Sequence, residues 1–104
     1  MSDTYLRPKD PASVEDYSYS FAESLADGET LASHVVNVIS AGGASVIASA
    51  QTPEGIVTFR VSGGTHLDYL VLDIVGTLSD GQVLPGAVRI PIIEGQSTPS
   101  KVEE

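Results

Sequence analysis

Two histidines, His34 and His66, and fourteen acidic side chains are the only groups in this 104-residue chain with obvious chemistry to offer. There is no cysteine, which excludes disulfides, thiolate metal sites and a thiol nucleophile. A histidine works as acid or base only when a carboxylate, serine or substrate group is held beside it. Here His34 follows Ser33 inside an alternating segment, and His66 follows a turn. Neither lies in a nucleophile elbow or another local catalytic motif, so a structural role is expected for both. Asp68, Asp73 and Asp80 lack the close, regular oxygen spacing of a calcium loop. Asp27-Gly28 and Asp80-Gly81 read as turns. Gly63-Gly64 has no following lysine or helix and reads as a hairpin connection rather than a phosphate loop. The residues therefore point away from an enzyme and away from any metal or cofactor.

Charge narrows the partners. Fourteen acidic against five basic residues give a formal charge of −9 and a pI near 4.3. Too few cations are present to neutralise a phosphate backbone, and an anionic membrane surface would repel the chain. No apolar run approaches the roughly 20 residues that span a bilayer, and the N-terminus has no basic-then-apolar leader pattern. Neither nucleic acid nor membrane is expected as a partner. The acid is uneven: Asp3, Asp10, Glu15, Asp16, Glu23, Asp27 and Glu29 all fall before residue 30, against Arg7 and Lys9. A partner docked there should be basic or polar, and its binding salt-sensitive.

The elements that would position any site are strands. Hydrophobic residues make up 41%, enough to fold, and Val, Ile, Thr, Ser and Gly dominate the middle of the chain. Residues 1–13, with Arg7-Pro8-Lys9-Asp10-Pro11, read as an extended arm anchored by Tyr5 and Leu6. It packs on its own domain or grips a neighbour. Tyr17, Tyr19 and Phe21 alternate with Ser18 and Ser20 as in a half-buried strand. A second strand runs over 30–39, its broken phase suggesting a bulge near His34 and Val35. Segments 44–51 and 56–61 follow, the latter with Val57, Phe59 and Val61 on one face. The longest apolar stretch, 66–78, carries Leu70, Leu72 and Ile74 on one face and Tyr69, Val71 and Val75 on the other. It is expected to be buried on both. Pro85-Gly86 interrupts a last strand over 82–93 and suggests an edge or a bend.

Six or seven short strands, spaced by turn residues and with no helical period, predict an all-β domain. The expected architecture is an antiparallel β-sandwich of immunoglobulin or fibronectin III type over 14–93, with a flexible tail over 94–104. Tyr69, near the start of the penultimate strand, is a candidate tyrosine-corner residue or plain core. In a two-layer sandwich only one face of each strand meets the core. The second apolar face of 66–78 must then be covered, by the arm, a loop or another chain. Tyr5, Leu6, Leu70, Leu72 and Ile74 are the candidate partner-binding residues.

The order of these segments resembles a family. Lys9-Asp10-Pro11, Val14, Asp16-Tyr17 and Leu25-Ala26-Asp27-Gly28-Glu29-Thr30 are similar to the opening of a group of small tailed-phage proteins. Ser62-Gly63-Gly64-Thr65, Tyr69-x-Val71, Val75-x-Thr77, Asp80-Gly81 and Val88-x-Ile90-x-Ile92 are similar to their second half. The resemblance runs from Tyr5 to Ile92. Where many of those proteins have Trp in the first strand, this chain has Tyr19 and Phe21, and Leu72 and Ile74 stand in a strand that is usually polar there. These are phage fibre–tail adaptors with an immunoglobulin-like domain. The resemblance implies a non-enzymatic virion protein, assembled in the host cytoplasm and present in several copies. It would contact tail, neck or fibre components. Two other surface roles suit the same fold. A capsid decoration or cement protein differs only in address. A carbohydrate- or cell-surface-binding module would want aromatic platforms, and Trp is absent.

Overall fold

A computed structural model of the chain describes residues 4–95, and its architecture follows from period-2 alternation in almost every segment. There are seven strands: β1 (Thr4–Tyr5), β2 (Val14–Ser20), β3 (Leu31–Ser40), β4 (Ala44–Gln51), β5 (Ile56–Gly63), β6 (Tyr69–Leu78) and β7 (Val83–Pro91). One 3₁₀ turn, Ala22–Ser24, is the only helical piece among the described residues. The strands form a four-stranded sheet in the order β1-β7-β6-β3 and a three-stranded sheet in the order β2-β5-β4. All pairings are antiparallel except β1 with β7, which is parallel. The fold is the all-β sandwich that the alternation implied.

Register decides what is buried. In the small sheet Tyr17 stands opposite Phe59 and Tyr19 opposite Val57. In the large sheet Leu70 stands opposite Ile90, Leu72 opposite Val88 and Val36 opposite Ile74. These inward side chains, with Val61, Leu78 and Ile92, make one core between the layers. Gly86 lies beneath Tyr19: a Cβ there would sit 2.5 Å from the ring, so only glycine leaves room for it. Pro85 interrupts no ladder, because β1 reaches only Val88 and Arg89 on that side of β7.

One expectation changes and two become specific. First, β6 is not buried on both faces. Leu70, Leu72, Ile74 and Leu78 are core, whereas Tyr69 and Asp73 are exposed and Val71, Val75 and Thr77 are half-buried. β6 lies between β3 and β7, so neighbours within the sheet shield its outer side chains from the flanks. An apolar outer face there needs no cover. Leu70, Leu72 and Ile74 therefore present no surface to a partner. Second, the bulge near His34 and Val35 is one of a pair that brackets them: the register slips between Leu31 and Ser33 and again between Val38 and Ser40. Third, of the two courses open to the arm, it packs on its own domain. Leu6 N–H donates to Arg89 O (3.0 Å), Lys9 N–H to Pro91 O (2.9 Å) and Ile93 N–H to Lys9 O (2.9 Å). These bonds carry the arm along β7 as a sheet edge. Residues 96–104, most of the expected tail, lie outside the described residues; Glu94 and Gly95 form a described turn.

One core residue is chemically out of place. Tyr17 stacks on Phe59 (centroids 6.0 Å apart, planes at 21°) and its hydroxyl is buried with no hydrogen-bond partner. Burial pushes its ionisation up to about 12 from an ordinary 10.0, with Glu15 adding to the shift and Arg7 opposing it. An unmet buried hydroxyl costs stability. Tyr17→Phe is thus expected to keep or slightly raise the urea midpoint at neutral pH. A folded-state pKa above the unfolded one gives stability that is complete below the unfolded value and lost as pH rises to the folded one. Wild type should therefore lose stability between about pH 10 and 12 more steeply than Tyr17→Phe. Urea titrations at pH values spanning that window check this, and a loss of more than about 1 kcal/mol at neutral pH in the variant would show that the hydroxyl has a partner.

Candidate functional site

The arm is held by a buried charge. Lys9 is fully buried, and its Nζ donates to three backbone carbonyls: Asp10 O (2.9 Å), Ser13 O (2.6 Å) and Gly63 O (2.6 Å). An ammonium has three protons, so its hydrogen-bonding capacity is met. Loss of water pushes its pKa below the ordinary lysine value, while the Glu15 and Asp10 carboxylates act in the opposite direction. Asp10, itself buried, accepts from Ala12 N–H (2.7 Å) and from Gly95 N–H (2.6 Å). Ser13 Oγ donates to Asp10 O or Glu15 Oε2, each 2.9 Å away. Lys9-Asp10-Pro11 and Ser62-Gly63-Gly64-Thr65 thus meet at one point, although 54 residues separate Lys9 from Gly63.

Arg7 fixes the arm from outside. Its Nη2 donates to Glu15 Oε1 (3.0 Å) and Asp16 O (2.9 Å), and its guanidinium covers the Tyr17 ring at 4.3 Å from the centroid. Leu6 packs half-buried against the core. With both neighbours anchored, Tyr5 has one place to go. The parallel register sets it beside Arg89 on the outer face of the large sheet.

There the geometry makes a cluster. Tyr5 and Tyr69 meet edge to face, with centroids 6.4 Å apart and planes at 83°. The Arg89 guanidinium lies 5.9 Å from the Tyr5 centroid and 5.6 Å from that of Tyr69. Tyr5 is 64% and Tyr69 40% exposed. Val71 is in register with Arg89, Pro91 with Tyr69, and Val75 lies farther along the same face with Val35 and Pro85 beside it. Rigid aromatics around an arginine, ringed by small apolar groups, are what protein interfaces use as binding anchors. Tyr69 is therefore a surface residue, not core.

The other candidates are structural. His34 Nε2 lies 2.9 Å from Ser49 Oγ and its Nδ1 bonds Gln51 Oε1, so both ring nitrogens are engaged in tying β3 to β4. His66 Nδ1 accepts from Glu94 N–H (3.0 Å). Asp80 Oδ1 accepts from Gln82 N–H (3.0 Å), closing its turn, and Asp68 Oδ1 accepts from Tyr69 N–H (2.9 Å). Arg60 bonds Asp16 through both Nε and Nη2, which holds that carboxylate below its ordinary pKa. Among the described residues no three His, Asp or Glu side chains are grouped to hold a metal ion.

Of the five partner-binding candidates, Tyr5 is exposed, Leu6 half-buried, and Leu70, Leu72 and Ile74 are core. Tyr69, Arg89 and Lys9 were missed. Tyr69 was read as a tyrosine-corner residue or plain core, and no local pattern marks Arg89. No local pattern marks Lys9 either, since its carbonyl partner Gly63 is 54 residues away in sequence.

A family model described as podophage GP4 fiber-tail adaptor protein gp77 matches residues 9–91. No curated protein matches the chain. The family match begins at Lys9 and covers β2 to β7, and the chain belongs to this phage fibre–tail adaptor family.

The lysine junction has a measurable consequence. Lys9→Met keeps the aliphatic stem but removes the ammonium donor to Ser13 O and Gly63 O, while Asp10 O keeps the Ser13 N–H and Oγ. It is expected to cost about 2–4 kcal/mol by urea unfolding and to abolish hydrogen-exchange protection at the Leu6 and Lys9 amides. Breaking the exposed pair with Arg60→Ala should leave the midpoint almost unmoved.

Proposed function

We propose that the chain is a non-enzymatic structural adaptor of a tailed-phage virion, joining tail or neck components to fibres through protein–protein contacts. The observation that carries this reading is the family match, which spans nearly the whole sandwich. The strand orders support an immunoglobulin-type sandwich, with β2 to β7 in the places of strands B to G. Such a domain is a rigid spacer, and its work is done by surfaces. We assign the contact with the neighbouring virion protein to the outer face of the large sheet, centred on Tyr5, Tyr69 and Arg89. The cluster places two rigid rings and a guanidinium in one patch, and the arm bonds hold it in place before any partner arrives.

Two measurements test this. Labelled chain should be found in intact particles by electron microscopy, at the tail or neck and in several symmetry-related copies. A label on the capsid surface would overturn the assignment in favour of a decoration role. Tyr5→Ser with Tyr69→Ser removes the rings and leaves the core untouched. The doubly substituted chain is expected to fold with an unchanged urea midpoint while its incorporation into particles, or the fibre content of those particles, falls at least about tenfold. Normal particles would show that this face makes no essential contact.

A further inference from the structure

One exposed residue holds a backbone conformation that destabilises the fold. Leu67 has φ near 70°, and every other positive φ among the described residues belongs to a glycine. Asp68 N–H donates to Thr65 O (3.0 Å), which closes a four-residue turn with Leu67 in its third position. Positive φ at that position favours Gly or Asn, because a larger L side chain crowds the backbone. The turn itself has a structural role. Leu67 N–H donates to Ile92 O (2.8 Å) and Ile92 N–H to Asp68 O (2.9 Å), which ties the entry of β6 to the end of β7. That role explains the backbone and not the leucine, since asparagine or glycine would make the same bonds with less strain. Burial does not explain it either: Leu67 is 72% exposed, more than any other large apolar residue described.

Backbone strain that the fold does not need collects where function selects the side chain. We propose that Leu67 is the apolar anchor of the contact assigned above to the outer face, entering an apolar pocket on the same neighbouring virion protein. Its position is continuous with that face. Leu67 lies two residues before Tyr69, and the Ile92 that it bonds adjoins Pro91, the register partner of Tyr69. Its presentation is rigid. Thr65 N–H donates to Gly42 O (2.8 Å) and Glu94 N–H to His66 Nδ1 (3.0 Å), and a Cβ on Gly42 would clash with the Tyr69 carbonyl. The turn is therefore braced by the β3–β4 connection on one side and the chain after β7 on the other, and little freedom is left to lose on docking. Its chemistry names the pocket. A leucine side chain has no donor or acceptor, so only an apolar, close-fitting cavity gains from it. This inference rests on the adaptor reading and adds to it what the partner must offer: a leucine-sized pocket beside the site that receives the two rings.

Urea unfolding of the purified chain, together with its incorporation into particles, tests the anchor in two variants. Leu67→Asn suits the left-handed backbone and removes the apolar reach. It is expected to raise the urea midpoint while incorporation falls at least about fivefold. Leu67→Met keeps the apolar reach in the same strained turn, and both readouts should stay near those of the wild type. A residue with a purely structural role would not move stability and assembly in opposite directions. A Leu67→Asn chain that unfolds more easily than wild type, or one that enters particles normally, overturns the inference. If it enters normally while the chain with Tyr5→Ser and Tyr69→Ser does not, the outer face remains the contact and Leu67 alone drops out. If both enter normally, the assigned face and its anchor fail together.

Discussion

The most demanding interaction in the molecule is the burial of the Lys9 ammonium. A charge without water is tolerated only where donors and countercharge are all met, and the chain meets this one with carbonyls from two distant segments. Much of the geometry follows. The carbonyl of Gly63 is available because β5 ends there, at a glycine with φ near 74° that turns the strand away. The carbonyls of Asp10 and Ser13 face Lys9 because the intervening residues turn, with Asp10 Oδ1 accepting from Ala12 N–H. Satisfying the ammonium therefore closes one end of the sandwich and fixes the arm against β7 in a single step. It also explains why Lys-Asp-Pro and Ser-Gly-Gly-Thr are found in one chain: each is the other's partner.

The arm then determines what the surface can do. By lying along β7 it seals a flank that would otherwise be open, and it delivers Tyr5 to the outer face beside Arg89. Arg7 uses Glu15 and the backbone of Asp16, so part of the acidic stretch near the N-terminus is spent within the domain. The opposite flank has no such cover. Its strands are uncharged, and its polar groups, His34, Ser49 and Gln51, bond one another. Sealing and exposure are thus distributed by sequence, with charge on the covered flank and none on the open one.

Alternation made most of the core legible. Tyr17 and Phe21, and Val57, Phe59 and Val61, face inward as their period requires. The turns at Asp27-Gly28 and Asp80-Gly81 fall where their residues place them, each glycine at positive φ, whereas Gly63-Gly64, read as a hairpin connection, instead carries the chain from β5 in one sheet to β6 in the other. One group of residues was misread and another carried no signal, for physical reasons. In β6 the apolar residues Val71 and Val75 imitate a second buried face, because a strand with neighbours on both sides shields its outer side chains laterally. Pattern alone cannot separate that from burial under a third layer, so Leu70, Leu72 and Ile74 looked like a surplus when they are the core itself. The burial of Lys9 has no local signal, because only the tertiary fold brings Gly63 and Ser13 to it. The arm cluster was half legible: Tyr5 was recognised as an anchor, but its partners Tyr69 and Arg89 come from strands that meet only across the sheet.

The placement of the two surfaces has a consequence for assembly. In the order β1-β7-β6-β3, the Tyr5–Arg89–Tyr69 cluster occupies the first three strands and the uncharged edge is the last. Adjacent strands are about 4.8 Å apart, so roughly 15 Å separates β1 from the β3 edge. That distance is small beside a standard interface, yet the two surfaces point in different directions, one perpendicular to the sheet and the other within its plane. A partner seated on the outer face therefore leaves the edge clear. Under the adaptor reading proposed above, a small rigid domain of this kind works as a joint through its outer face.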